Sequence, residues 1–220
     1  MRHSAVPFLL GMGLHAYTRH SPSPDDPRNA RTRAFDDPKY KTIVSDAEGF
    51  HAIAKGAWSP ATEDASFRGG YRRYCASKLF LVMMQHELQA RLLDSDPGLG
   101  AGRISVLGVD PGTMSSGLQR LAPWFIRVLL FRFIYPLVLW LNPGGDNIRA
   151  PARSAGDVLE AAFGVVGEGA GMPKDLHFDG RVAVETGEES RDAGKRAMVW
   201  RETAKLAGLR DGDTVLANWR

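Results

Sequence analysis

The rhythm of apolar and polar positions changes several times along this chain. Residues 4–14 read as a short strand that runs into a glycine-containing turn. Residues 15–66 are a long polar stretch rich in proline, including Ser21-Pro-Ser-Pro-Asp-Asp-Pro27 and Asp36-Asp-Pro38, with one short helix expected near 45–56. From about Gly70 to Leu93 the pattern turns helical. Tyr74, Leu81, Met84, Leu88 and Leu92 recur at intervals of three, four and seven and predict one apolar stripe. Asp94-Ser-Asp-Pro-Gly98 supplies the breakers that end this helix.

Arg103-Ile-Ser-Val-Leu-Gly-Val109 then reads as a buried strand, with Asp110-Pro-Gly112 at its carboxyl end. A helix followed by such a strand predicts an α/β fold built on a parallel sheet. Ligands of such sheets sit beyond the carboxyl ends of the strands, which places the Pro111-Gly112 turn beside a cofactor edge. Residues 151–166 predict a helix with proline near its start. Gly180-Arg-Val-Ala-Val-Glu185 alternates like a short strand, and 188–206 reads as a terminal amphipathic helix.

Residues 121–141 are the most hydrophobic segment, within an apolar, lid-like region at 119–145. The length suits a bilayer span. Arg127 and Arg132 fall near its centre, where each costs about 2.5–3.5 kcal/mol on insertion scales, and Pro136 adds a kink. The readings left open are a lid over an apolar pocket, a core helix, and a helix lying on a membrane surface.

The bulk numbers bound the rest. The 220 residues suit a single α/β domain over 1–220, and the apolar content of 44% with 24% charged residues is that of a globular protein. A net charge of +3 spread along the chain argues against nucleic-acid binding. Cys75 is the single cysteine, which excludes an internal disulfide, points to a reducing, cytoplasmic setting, and leaves no zinc-type spacing, so no metal site is expected. It reads as a small packed side chain rather than a nucleophile. The N-terminal apolar run is short for a secretory signal and is interrupted by Pro7.

Tyr74-Cys-Ala-Ser-Lys78 carries the chemistry. In a helix the phenol and the ammonium lie on one face, a turn apart. A nearby cation lowers the pKa of a phenol, and a phenol so tuned can pass a proton when a carbonyl and an alcohol interconvert.

These residues, the strand Ile104–Val109 and the run Asp110-Pro-Gly-Thr-Met-Ser-Ser-Gly-Leu118 resemble the short-chain dehydrogenases/reductases. The run Pro111–Arg120, the aromatic-rich segment after it and the long stretch before the tyrosine look most like the protochlorophyllide-reductase-like branch, with its fungal relatives. The resemblance implies a partial Rossmann-like, doubly wound parallel sheet and an oxidoreductase using NADP or NAD, with NADP(H) preferred. Tyr74 would be the acid/base, and Lys78 would bind the nicotinamide ribose and lower the tyrosine pKa. Pro111, Gly112 and Thr113 would line the nicotinamide edge, and Ser116 would contact the carboxamide. The substrate would be a small apolar carbonyl or alcohol.

Two features depart from the family pattern. The turn Leu10-Gly-Met-Gly-Leu-His15 puts Met12 where the family has its polarising serine, and a thioether donates no hydrogen bond. Ser4 or Thr18 are the nearest hydroxyl substitutes. No counterpart of the family's Gly-rich phosphate loop precedes the strand. Gly11-Met-Gly-Leu-His-Ala16 fits that fingerprint formally, with Asp36 beyond it, but Ser21-Pro-Ser-Pro follows where a helix should start. The expectation is therefore the carboxyl half of such an enzyme, truncated. The alternative is an inactive remnant acting as a binding or peripheral membrane protein. An exposed sheet edge would favour self-association.

Overall fold

The computed structural model describes residues 8–10 (backbone only), 35–95, 104–112, 127–141, 149–164, 173–216 and 218–220. Among the described residues, four strands form one sheet: β1 (Phe8–Leu10), β2 (Leu107–Asp110), β3 (His177–Asp179) and β4 (Val182–Val184), in the order β1-β2-β3-β4. The first three run parallel, with Leu9 opposite Gly108 and Val109 opposite Phe178. β4 returns antiparallel to β3 through Gly180-Arg181, where Gly180 adopts a φ of 64° that a side chain would resist. The helices are α1 (Ala47–Ala54), α2 (Phe67–Asp94), α3 (Tyr135–Leu141), α4 (Pro151–Leu159), α5 (Glu188–Arg191) and α6 (Ala193–Leu206).

The sheet carries helices on both faces. Leu107, Val109 and Phe178 project to one side and pack on Ala161 and Val158 at the end of α4. Gly108 and His177 project to the other, toward Gln85 of α2. Strand β3 was not foreseen, because a three-residue run of His177-Phe-Asp carries almost no apolar signal. Its polar members face α2 rather than an oily core.

Helix α2 begins at Ser66, whose hydroxyl accepts from Gly69 N, and it packs on β2, α5 and α6. Contact on several sides overturns the expected single stripe. Tyr74, Leu81, Met84 and Leu88 are only half-buried, whereas Cys75, Ala76, Leu79, Val82 and Met83 are buried, and Leu92 alone of the predicted set joins them. Polar α2 residues serve as backbone partners for the sheet. Gln89 Oε1 accepts from Val106 N at 2.7 Å, and Gln85 Nε2 donates to the Leu176 carbonyl at 3.2 Å.

The stretch 35–66 is more than a connection. Ile43, Val44 and Phe50 are buried against Ala76, Leu79, Met83 and Val199 in the largest apolar cluster. The Glu189 carboxylate at the start of α5 accepts from Ile43 N (3.1 Å) and Val44 N (2.8 Å), which lets this segment be buried without a strand partner. The expected terminal helix is broken at Asp192, whose extended backbone ends α5 and whose carboxylate caps α6 at Lys195 N. The helix at 151–164 is α-helical to Leu159 and then widens to π-helical turns over Glu160–Gly164.

Candidate functional site

Helix α2 lies antiparallel to β2 in the sense that its early turns approach the carboxyl end of the strand, while Gln89 reaches back to Val106 before the strand starts. Tyr74 therefore lies on the side of α2 near Asp110, at the carboxyl end of β2. Lys78 Nζ lies 5.6 Å from the centre of the Tyr74 ring, so the two side chains share a face and touch as cation and π-surface.

The electrostatics differ from the expectation. Lys78 was to lower the phenol's pKa; instead it is pushed up to about 12. Partial burial is the main cause, the Asp110 carboxylate adds to it, and Cys75 contributes last. The ammonium is ranged against the ring face, and an anion at the strand end opposes the phenolate.

The turn itself is held from below by a residue the sequence did not flag, Arg149. Its guanidinium is buried, donates from Nη1 to the Asp110 carbonyl at 3.0 Å, and pairs through Nη2 with Asp179 at 2.7 Å. Ser154 Oγ donates to the Pro111 carbonyl at 2.7 Å, and Asp110 Oδ1 accepts from Gly112 N at 2.8 Å. Gly112 has a φ of 72°, and a Cβ there would lie 3.1 Å from Arg149 Cδ. Glycine at this position therefore lets the turn close over the Arg149 side chain. Thr113, Ser115 and Ser116, like Met12, Ser4, Thr18, the 11–16 fingerprint and Asp36's expected partner loop, lie outside the described residues, apart from Asp36 itself, which is exposed.

The apolar segment is π-helical over Arg127–Ile134 and α-helical in α3. It docks through buried Tyr135, whose hydroxyl donates to the Arg149 carbonyl at 2.5 Å. A core helix is excluded for it, since Phe133, Leu137 and Leu141 are exposed and Trp140 is 77% exposed. Among the described residues, no helix is long and apolar enough to cross a membrane.

No protein-family model matches the chain. Over 222 aligned residues, 96% of its length, it is 34% identical to the short-chain dehydrogenase iccH of Talaromyces variabilis, and it spans 59% of that protein's length. Along nearly the whole chain the similarity is therefore to a short-chain dehydrogenase, and an α/β sheet with Tyr74 of α2 near Asp110 at the carboxyl end of β2 is consistent with part of a fold of that type.

Proposed function

We propose that the chain serves as an oxidoreductase of short-chain dehydrogenase type, reducing a small apolar carbonyl to an alcohol with NADPH or NADH. The observation that carries this reading is the pairing of Tyr74 and Lys78 on one face of α2, with Tyr74 near Asp110 at the carboxyl end of β2. A bound nicotinamide supplies the hydride that adds to the carbonyl carbon. Tyr74 donates its phenolic proton to the oxygen as negative charge develops there. A phenol with a pKa of about 12 is protonated at neutral pH, so it carries the proton that the acid role requires. By the motif resemblance, Lys78 would orient the ribose, and Pro111, Gly112, Thr113 and Ser116 would border the nicotinamide. NADP(H) preference and the protochlorophyllide-reductase-like branch belong to the same reading, on the motif resemblance alone.

The exposed apolar side chains of α3 are in keeping with an apolar substrate. The two exposed terminal side chains of this helix, Trp140 and Leu141, also suit contact with a membrane surface, which liposome flotation tests; a protein that stays at the bottom of the gradient rejects that contact.

The test is cofactor oxidation in the presence of a panel of apolar ketones and aldehydes. General acid catalysis contributes about 10²–10⁴-fold, so Tyr74→Phe should lower turnover by that factor while leaving the melting temperature close to wild type. Turnover that survives Tyr74→Phe unchanged rejects the assignment.

A further inference from the structure

We propose that a second small-molecule site lies at the opposite end of α2, in a cleft that takes a small organic carboxylate with an apolar tail. The cleft has a volume of about 470 Å³ and is bordered by His86 of α2, Asp175 and His177 at the start of β3, Thr186 after β4, and Arg191 and Arg196. It is remote from the turn at Gly112. His86 follows Tyr74 by twelve positions, roughly 18 Å along the helix axis. The cleft opens at the amino-terminal edge of the parallel strands, and the Tyr74 site lies at their carboxyl edge.

The first observation is His177. It is 2% exposed, it lines the cleft, and among the described residues neither ring nitrogen has a hydrogen-bond partner. Burial, reinforced by His86, holds it neutral, with a pKa pulled down to about 4. A neutral imidazole has one donor and one acceptor, and leaving such groups buried and unpaired is destabilising. Folding alone gives no reason to retain that arrangement; a ligand that pairs with it does.

The neighbouring imidazole shows the contrast. His86 Nδ1 is 2.6 Å from Asp175 Oδ1, and its Nε2 is 2.9 Å from Thr186 Oγ1. Both nitrogens are engaged, and Asp175 is held at a φ of 55°, a conformation that aspartate tolerates better than most residues. This linked trio is a fixed wall, and it leaves the Asp175 carboxylate committed to His86 rather than to a cation.

The charge comes from the two arginines. Arg196 is anchored, with Nε donating to Glu87 Oε1 at 3.2 Å and Nη1 to the Arg191 carbonyl at 2.8 Å. Arg191 pairs with Glu185 at 2.8 Å, but their side chains are 46% and 78% exposed, so the pair is weak and exchangeable. A guanidinium fork matches a carboxylate in a bidentate pair. Glu185, the partner of Arg191, also borders the cleft, and Leu176, Ala183 and Val184 form the rest of the wall. The last three favour a carbon chain behind the carboxylate over an inorganic anion, which would leave them uncovered.

Hexanoate is a suitable probe. The imidazole signals of the 220-residue chain are followed by NMR during its titration, with His177→Gln identifying the His177 resonance. The proposal expects a saturable shift at His177 at millimolar hexanoate. It expects Arg191→Gln, an exposed substitution that leaves the fold intact, to weaken binding about tenfold, the scale of one charge-assisted hydrogen bond. Tyr74→Phe should leave this affinity unchanged, which separates the site from the proposed reductase. An unmoved His177 overturns the proposal. So do equal shifts with hexanol, with inorganic phosphate, or in Arg191→Gln.

Discussion

The Asp110 carboxylate at the end of β2 bears on the Tyr74 phenol across the gap to α2, and with burial it raises that phenol to about 12. Asp110 also accepts from Gly112 N, so one side chain both shapes the turn and sets the charge state of the residue above it. Asp110→Asn keeps the acceptor oxygen and removes the charge. The Tyr74 midpoint should fall but stay above 10, since burial is the larger cause. Phenolate absorbance, taken as the difference between each protein and its Tyr74→Phe partner, reads this directly. The sign for stability follows: a phenol whose pKa rises on folding contributes stability fully present below pH 10 and lost as pH climbs toward 12.

His177 predicts the opposite limb. Its folded pKa of about 4 lies below the ordinary histidine value of 6.5, so its contribution is present above pH 6.5 and is lost as pH falls through 4. The full shift corresponds to about 3 kcal/mol. Denaturant unfolding at pH 7, 5 and 4 should show His177→Phe losing less stability than wild type over that interval. Parallel losses in the two proteins would contradict the assignment.

Gly108 is a glycine because α2 and β3 close over it. A Cβ there would fall 2.2 Å from His177 Nδ1 and 2.3 Å from Gln85 Oε1. Gly108→Ala should therefore destabilise the fold by about 1–3 kcal/mol, the usual range for overpacking, as measured by the denaturation midpoint. An unchanged midpoint would mean that helix and strand are not in this contact.

Arg149 holds the carboxyl edges of β2 and β3 together. Arg149→Met removes the buried guanidinium that pairs with Asp179 and should cost about 3–5 kcal/mol. Adding Asp179→Asn removes the carboxylate charge and should return part of that loss, which a double-mutant cycle quantifies. Strict additivity of the two substitutions would count against the pair.

Much of the Tyr74 region was legible, because its signals are local. Helical spacing put Tyr74 and Lys78 on one face, Asp94 to Gly98 ended the helix, and an apolar strand led to a Pro-Gly turn. What was missed depends on contacts distant in sequence. Nothing near Arg149 distinguishes a buried guanidinium from an ordinary surface charge until Asp110, Asp179 and Gly180 surround it. The burial of Ile43 and Val44 rests on a carboxylate about 145 residues later. The Tyr74 pKa had the wrong sign because the i to i+4 spacing shows Lys78 and hides Asp110, which arrives from another element. Gly108 did carry a readable signal, since a glycine inside a strand marks a close approach, here that of His177.

The most direct test of the reductase reading is cofactor binding by this chain. NADPH is titrated into the protein while its thermal unfolding is followed, beside Lys78→Met. A saturable rise in melting temperature that Lys78→Met weakens is the predicted result. No stabilisation at millimolar NADPH, or equal stabilisation of both proteins, would contradict it.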